Sequence, residues 1–178
     1  MQKCAVLVGI GLAVMTAGQA SATFCLRAEA ETFIDAPTTI VFETIVDVAA
    51  YPDWNPFILS VEPEGVDIAE EGASFDLIVA GPRGGQIRTP EQTTLVMAPA
   101  TSADGGMISY AFAGRGARLL GFPERSQIVT PIGSDQTFYE TSERFCGIGA
   151  TFAFLFAQAG FDAQTAALRV EAERRASE

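Results

Sequence analysis

The chain has 178 residues, 48% of them hydrophobic, with 11 basic against 22 acidic side chains and a net charge of −11. That length suits one domain with a sizeable core, and so negative a field repels nucleic acid and anionic lipid surfaces at long range. The absence of histidine excludes Ser-His-Asp and Cys-His catalysis and imidazole-ligated zinc.

The first 22 residues read as a leader. Lys3 supplies the positive start, residues 5–17 are apolar, and Ala20-Ser21-Ala22 is a small-residue cleavage site. That is the layout of a secretory signal peptide cut before Thr23; the apolar run is too short and too rich in Gly and Ala to span a membrane comfortably. Export across the inner membrane, to the periplasm, is the expectation. Residues 23–178 then form a single domain with ten arginines, no lysine and a net charge of −12, which removes Schiff-base chemistry. Loss of Cys4 leaves Cys25 and Cys146, an even pair in a compartment where disulfides persist.

Residues 28–34 alternate small and charged side chains, the period of a half-buried strand. Pro37 suits a first helical turn, and Val41, Ile45 and Val48 then recur at helical spacing, with Phe42 beside them. Ala50-Tyr51-Pro52-Asp53 reads as a short helical turn, and Asn55-Pro56 forces an extended exit. Six strands are predicted over 57–62, 73–79, 88–97, 107–113, 125–130 and 136–145, separated by turns that are mostly glycine-rich. Residues 147 to about 174 form a long helix. Its expected inward stripe is Ile148, Phe152, Leu155, Phe156, Ala159, Ala163, Ala166 and Val170. Phe154, Phe161 and Leu168 fall almost opposite, either as scattered exposed apolar residues or as an outward contact for a second copy, a membrane or a lipid-delivering partner. The fold class is α+β: a curved, seven-stranded antiparallel sheet wrapped around the long C-terminal helix, with two short helices after the first strand.

The run from Ala36-Pro37 through Tyr51-Pro52-Asp53-Trp54-Asn55-Pro56-Phe57 resembles the start of the START-like (SRPBCC) superfamily. The stretch Asp135-Gln136-Thr137 through Glu143-Arg144-Phe145-Cys146-Gly147 is similar to that family's last strand entering its final helix. The superfamily includes polyketide cyclase/dehydratase-like and pollen-allergen-like helix-grip proteins, and the likeness covers nearly all of 23–178. It implies a hydrophobic cup between sheet and helix, suited to an apolar ligand. It also implies that the first and last strands are antiparallel neighbours, which would bring Cys25 and Cys146 within bonding range as a disulfide. Many relatives carry histidine near the sixth strand; here Glu124-Arg125-Ser126 stands instead.

On that fold the candidate pocket walls are Phe57, Leu77, Tyr110, Phe112 and Tyr139 from the sheet, with Phe152 and Phe156 from the helix. The alternative is that these seven fill a solid core. Buried tyrosine hydroxyls need partners, which a ligand's polar group or water can supply. Trp54 either packs its turn or gates the mouth. Arg115 and Arg118 belong to a loop over 114–121, either plainly solvated or a lid that meets a ligand's carboxylate or phosphate. Glu143 shares a strand face with Tyr139 and Thr141 and is expected to face solvent, the register alone deciding. Asp53 and Glu124 have nothing to pair them. No catalytic residue, metal ligand or cofactor is expected. The reading is an exported carrier of a small lipid-, isoprenoid- or polyketide-like molecule. The alternatives are a cyclase/dehydratase-like enzyme using carboxylate and tyrosine chemistry, which needs a buried carboxylate of shifted pKa, and an interaction module with a filled core.

Overall fold

A computed structural model describes residues 24–81 and 84–178; the expected leader over 1–22 lies outside them. The elements run β1 (Cys25–Ile34), α1 (Thr38–Val46), a 3-10 turn (Val48–Ala50), α2 (Tyr51–Trp54), β2 (Ile58–Glu62), β3 (Ser74–Ala80), β4 (Gln86–Met97), β5 (Gly106–Phe112), a second 3-10 turn (Ala117–Leu120), β6 (Glu124–Pro131), β7 (Thr137–Cys146) and α3 (Ala150–Ala176). The α+β helix-grip expectation is met element by element.

Local chemistry explains the entry. Pro37 stands at the cap of α1 rather than inside it, and its carbonyl accepts from the Val41 N–H at 3.1 Å. After α2, the Asn55 side-chain oxygen accepts from the N–H groups of Phe57 and Ile58 at 3.0 and 2.8 Å. A turn asparagine thus aims the chain into β2 and fixes where Phe57 stands.

The seven strands form one sheet in the order β1-β7-β6-β5-β4-β3-β2, every neighbouring pair antiparallel. Cys25 lies opposite Cys146 in the β1–β7 register, and the two are disulfide-bonded across a separation of 121 residues. Strand β1 is an edge, and α3 packs chiefly on it. Gln158 of α3 accepts from the Glu29 N–H at 3.1 Å and donates to the Glu29 carbonyl at 2.8 Å. The helix thereby occupies backbone groups that an open edge would offer to another chain.

The rotation of α3 corrects the sequence expectation. Its buried residues are Ala150, Ala157, Gly160, Phe161, Gln164, Thr165, Leu168 and Ala172. Phe161 and Leu168, expected to face outward, are 1% and 0% exposed, and Phe154 is partly buried against the core. Ile148, Phe152, Leu155 and Val170, expected inward, are exposed. The outward contact stripe therefore does not exist as a surface. The reason is that the helix is apolar on more than one side in its first half, so periodicity alone gives two admissible rotations. The one adopted presents small residues to the sheet and buries Gln164 among them.

Close approach depends on Gly160: a Cβ there would stand 2.3 Å from the Phe57 ring. Helix propensity favours alanine by about 1 kcal/mol, whereas overpacking typically costs ~1–3 kcal/mol. Gly160→Ala should therefore lower stability by up to about 2 kcal/mol in urea unfolding; a gain would contradict the contact. Replacing both Cys25 and Cys146 by serine should lower it by up to about 4–5 kcal/mol, the chain-entropy estimate for a loop of this length, read as a shift in the urea midpoint.

Candidate functional site

Between the concave face of the sheet and the first half of α3 lies a cavity of about 440 Å³. Strand pleating puts alternate residues on that face: Leu77 and Val79 of β3, Glu91 of β4, Tyr110 and Phe112 of β5, Arg125 of β6, and Glu143 and Phe145 of β7 all line it. The helix contributes Phe152, Ala153, Phe156, Ala157 and Phe161. Leu119, Ile148 and Phe152 line the cavity and are exposed as well, which marks the mouth.

Of the residues expected from the sequence, Phe57, Leu77, Tyr110, Phe112, Phe152 and Phe156 come together around this space. Phe57 packs on Phe156 with ring centroids 5.6 Å apart. Tyr139, Trp54 and Arg115 do not line it. Tyr139 is fully buried beside it and donates to the Gln127 side-chain oxygen at 2.8 Å. Trp54 meets Tyr51 edge-on at 5.2 Å, packing its own turn. Arg115 is exposed.

The 114–121 loop turns its apolar residues inward instead of its arginines: Leu119 and Leu120 line the cavity. Gly121 makes this possible, holding φ +74° where an added Cβ would meet the Cys146 Cβ at 2.6 Å. The Leu119 carbonyl accepts from the Gly149 N–H at 3.4 Å, so the loop rests on the junction of β7 and α3.

The polar end of the cavity holds groups that the sequence left unassigned. In the register, Glu143, Arg125 and Tyr110 lie opposite one another on three successive strands. The face shared by Glu143, Thr141 and Tyr139 is the concave one, so Glu143 is half-buried in the cavity wall and does not face solvent. Arg125, 3% exposed, donates from Nε to the Thr141 hydroxyl at 3.0 Å and from Nη2 to the Gln164 side-chain oxygen at 2.9 Å. Its guanidinium carbon lies 4.1 Å from the Phe161 ring centroid. Gln127 completes the network by donating to the Tyr110 hydroxyl at 3.3 Å.

Burial disfavours charged carboxylates and phenolates. It pushes the Glu91 carboxyl up to about 9, with the Glu143 charge adding to the rise and Thr89 and Arg125 opposing it. It raises Glu143 to about 7, with Arg125 holding it back. The Tyr110 and Tyr139 phenols are likewise raised by burial. At neutral pH the cavity therefore carries a neutral acid, a carboxyl near its midpoint and a permanent cation. Such a set can hold the polar head of an amphipathic molecule, or exchange a proton with it. Among the described residues no cluster of three or more His, Cys, Asp or Glu is placed to hold a metal ion.

Both glutamates keep protons in the folded state that the unfolded chain releases above about 4.5. Stability from this source is fully present below that pH, and is lost as pH rises through about 7 for Glu143 and about 9 for Glu91. Urea unfolding should therefore show stability falling from pH 5 to pH 9, with Glu91→Gln removing most of the slope. The same slope in wild type and variant would show that Glu91 is not protonated in the fold.

No protein-family model matches the sequence, and no curated protein does. Solved structures match by shape. The chain is similar to Zhui aromatase/cyclase from Streptomyces sp. R1128, at 22% identity and TM-score 0.64 over 85% of this chain and 96% of that one. It is similar to a point mutant of norcoclaurine synthase from Thalictrum flavum in complex with a transition-state analogue, at 14% identity and TM-score 0.63 over 86% and 97%. A START superfamily protein from Mycobacterium smegmatis matches at 17% identity and TM-score 0.57 over 85% and 97%. With the seven-stranded antiparallel sheet and its gripping helix, these likenesses lead to one conclusion: the chain has the helix-grip fold that these proteins share.

Proposed function

We propose that this protein binds and carries a small amphipathic molecule, its apolar body in the cup and its polar end toward Arg125, Glu91 and Glu143. The observation that carries this is the cavity itself. A chain able to bury Phe161 and Leu168 completely nonetheless leaves about 440 Å³ open beside Phe161, within the usual range of ligand pockets of about 300–1,000 Å³. Its walls are aromatic and aliphatic, with polar groups gathered at one end, the pattern that orients a ligand. Lipid-, isoprenoid- and polyketide-like bodies suit such a space. The leader-like residues 1–22 and the Cys25–Cys146 bond favour action outside the reducing cytoplasm, in the periplasm.

A second reading is favoured by one specific observation. Two cavity carboxyls of shifted pKa, Glu91 at about 9 and Glu143 at about 7, are the requirement set above for acid–base catalysis. In that reading Glu143 removes a proton from a bound substrate and Glu91 donates one. The interaction-module alternative loses its support, because it needs a filled cup and two of its three contact residues, Phe161 and Leu168, are buried.

Native mass spectrometry of the exported protein, followed by organic extraction, tests the binding reading. A hydrophobic adduct is expected. Ala153→Trp, which fills the cavity from the helix side, should lose the adduct and cut uptake of a fluorescent lipid probe roughly tenfold or more while melting within a few degrees of wild type. An empty wild-type protein that takes up no probe would overturn the proposal.

A further inference from the structure

A cation taken out of water is costly unless an anion or a full set of hydrogen bonds compensates it. Arg125 is almost wholly buried, yet the ion pairs of the described residues all belong to other arginines. Its two hydrogen bonds end on a hydroxyl and an amide, both neutral, and they use Nε and Nη2 of a fork that has five donors. The rest of the guanidinium belongs to a group that lines the cavity. A planar cation at the polar end of an apolar cup is a receptor for a planar anion.

The surroundings narrow the anion further. Facing Glu143 from β1 is Ala28, which carries no charge. From β4 come Glu91, a neutral acid, and Arg88, already paired with Glu62 and Asp76 at 2.5 and 2.6 Å. From β5 and β6 come Tyr110 and Arg125, from β7 itself Tyr139 and Thr141, and from α3 Gln164. One cation therefore faces one ionisable charge. A dianion such as phosphate would leave the site over-negative, whereas a monocarboxylate can replace the charge of Glu143 if that side chain becomes neutral.

Building on the binding reading above, we propose that the ligand is an amphipathic monocarboxylic acid whose carboxylate sits against Arg125, and that Glu143 takes up a proton from solvent as the acid enters. Glu91, neutral beforehand, donates a hydrogen bond to the same carboxylate. Entry of the acid puts a second negative charge beside Glu143 and raises its pKa further from about 7. Binding is then coupled to uptake of up to one proton, and affinity falls about tenfold between pH 6 and pH 8. A neutral ligand of the same shape shows no comparable fall.

Isothermal titration of the delipidated exported protein with octanoate, decanoate and dodecanoate, and with the matching alcohols and amines, at pH 6 and pH 8, tests this. The acids should bind roughly tenfold or more tightly than the alcohols at pH 6, weaken about tenfold at pH 8, and show proton uptake in buffers of different ionisation heat. Arg125→Gln should abolish the preference for acids over alcohols. Should that variant fail to fold, Glu143→Gln serves: it should still prefer acids but with the pH dependence gone. Alcohols or amines binding as tightly as acids, or acid affinity rising with pH, would overturn the inference and leave the binding reading standing. No binding by any of the three series, together with an empty native protein, would remove both.

Discussion

Arg125 donates to Thr141 on β7 and to Gln164 on α3 and lies over the ring of Phe161. These partners come from β7 and α3, so the guanidinium couples the helix to the sheet alongside the apolar packing of Phe161 and Leu168. Leaving a buried donor unmatched costs about 1–3 kcal/mol, more for a charged group, so satisfying this guanidinium constrains how the helix can turn against the sheet. With Gln164 and Phe161 inward, Leu168 and Ala172 follow along the same side one and two turns on, Phe152 is carried outward to the mouth and Leu155 to the surface. The position of the cavity is a consequence of that rotation.

The same packing explains why the cup is not filled. Ala153 and Ala157 present only methyl groups to the space, and Gly160 lets the backbone come down onto Phe57, closing the inner end. The outer end is shaped by Leu119 and Leu120, held by the turn at Gly121. Beside that turn, the Cys25–Cys146 bond ties the start of β1 to the end of β7, and the Gln158 contacts with Glu29 hold α3 to the sheet edge. An unfilled apolar volume and buried carboxyls whose ionisation the surroundings oppose both cost the fold stability.

Much of the fold was legible in the chain. Strand alternation and glycine-rich turns located seven strands to within a few residues, and the Ala-Pro and Tyr-Pro-x-Trp-Asn-Pro segments carried a resemblance whose topology paired the cysteines. Six of the nine pocket residues chosen on that basis do meet around the cavity. Glu91, Arg125 and Gln127 were not legible, because β6 alternates Arg125, Gln127 and Val129 with Ser126, Ile128 and Thr130, and neither set is clearly apolar. Nothing in the strand itself says which set faces in. The available hint was Glu143 sharing a face with Tyr139: once that tyrosine is placed inside, its neighbours two residues apart must follow.

By itself, then, the sequence determined the order and type of the elements, the antiparallel architecture and the absence of histidine chemistry, since these depend on local periodicity, turn residues and composition. Only the tertiary structure decided which side of the last helix is buried, that Arg125 rather than Arg115 meets the cavity, and that Glu143 is inside. Those outcomes depend on cross-strand register and on one cation finding neutral partners on two distant segments. Local sequence carries no record of either.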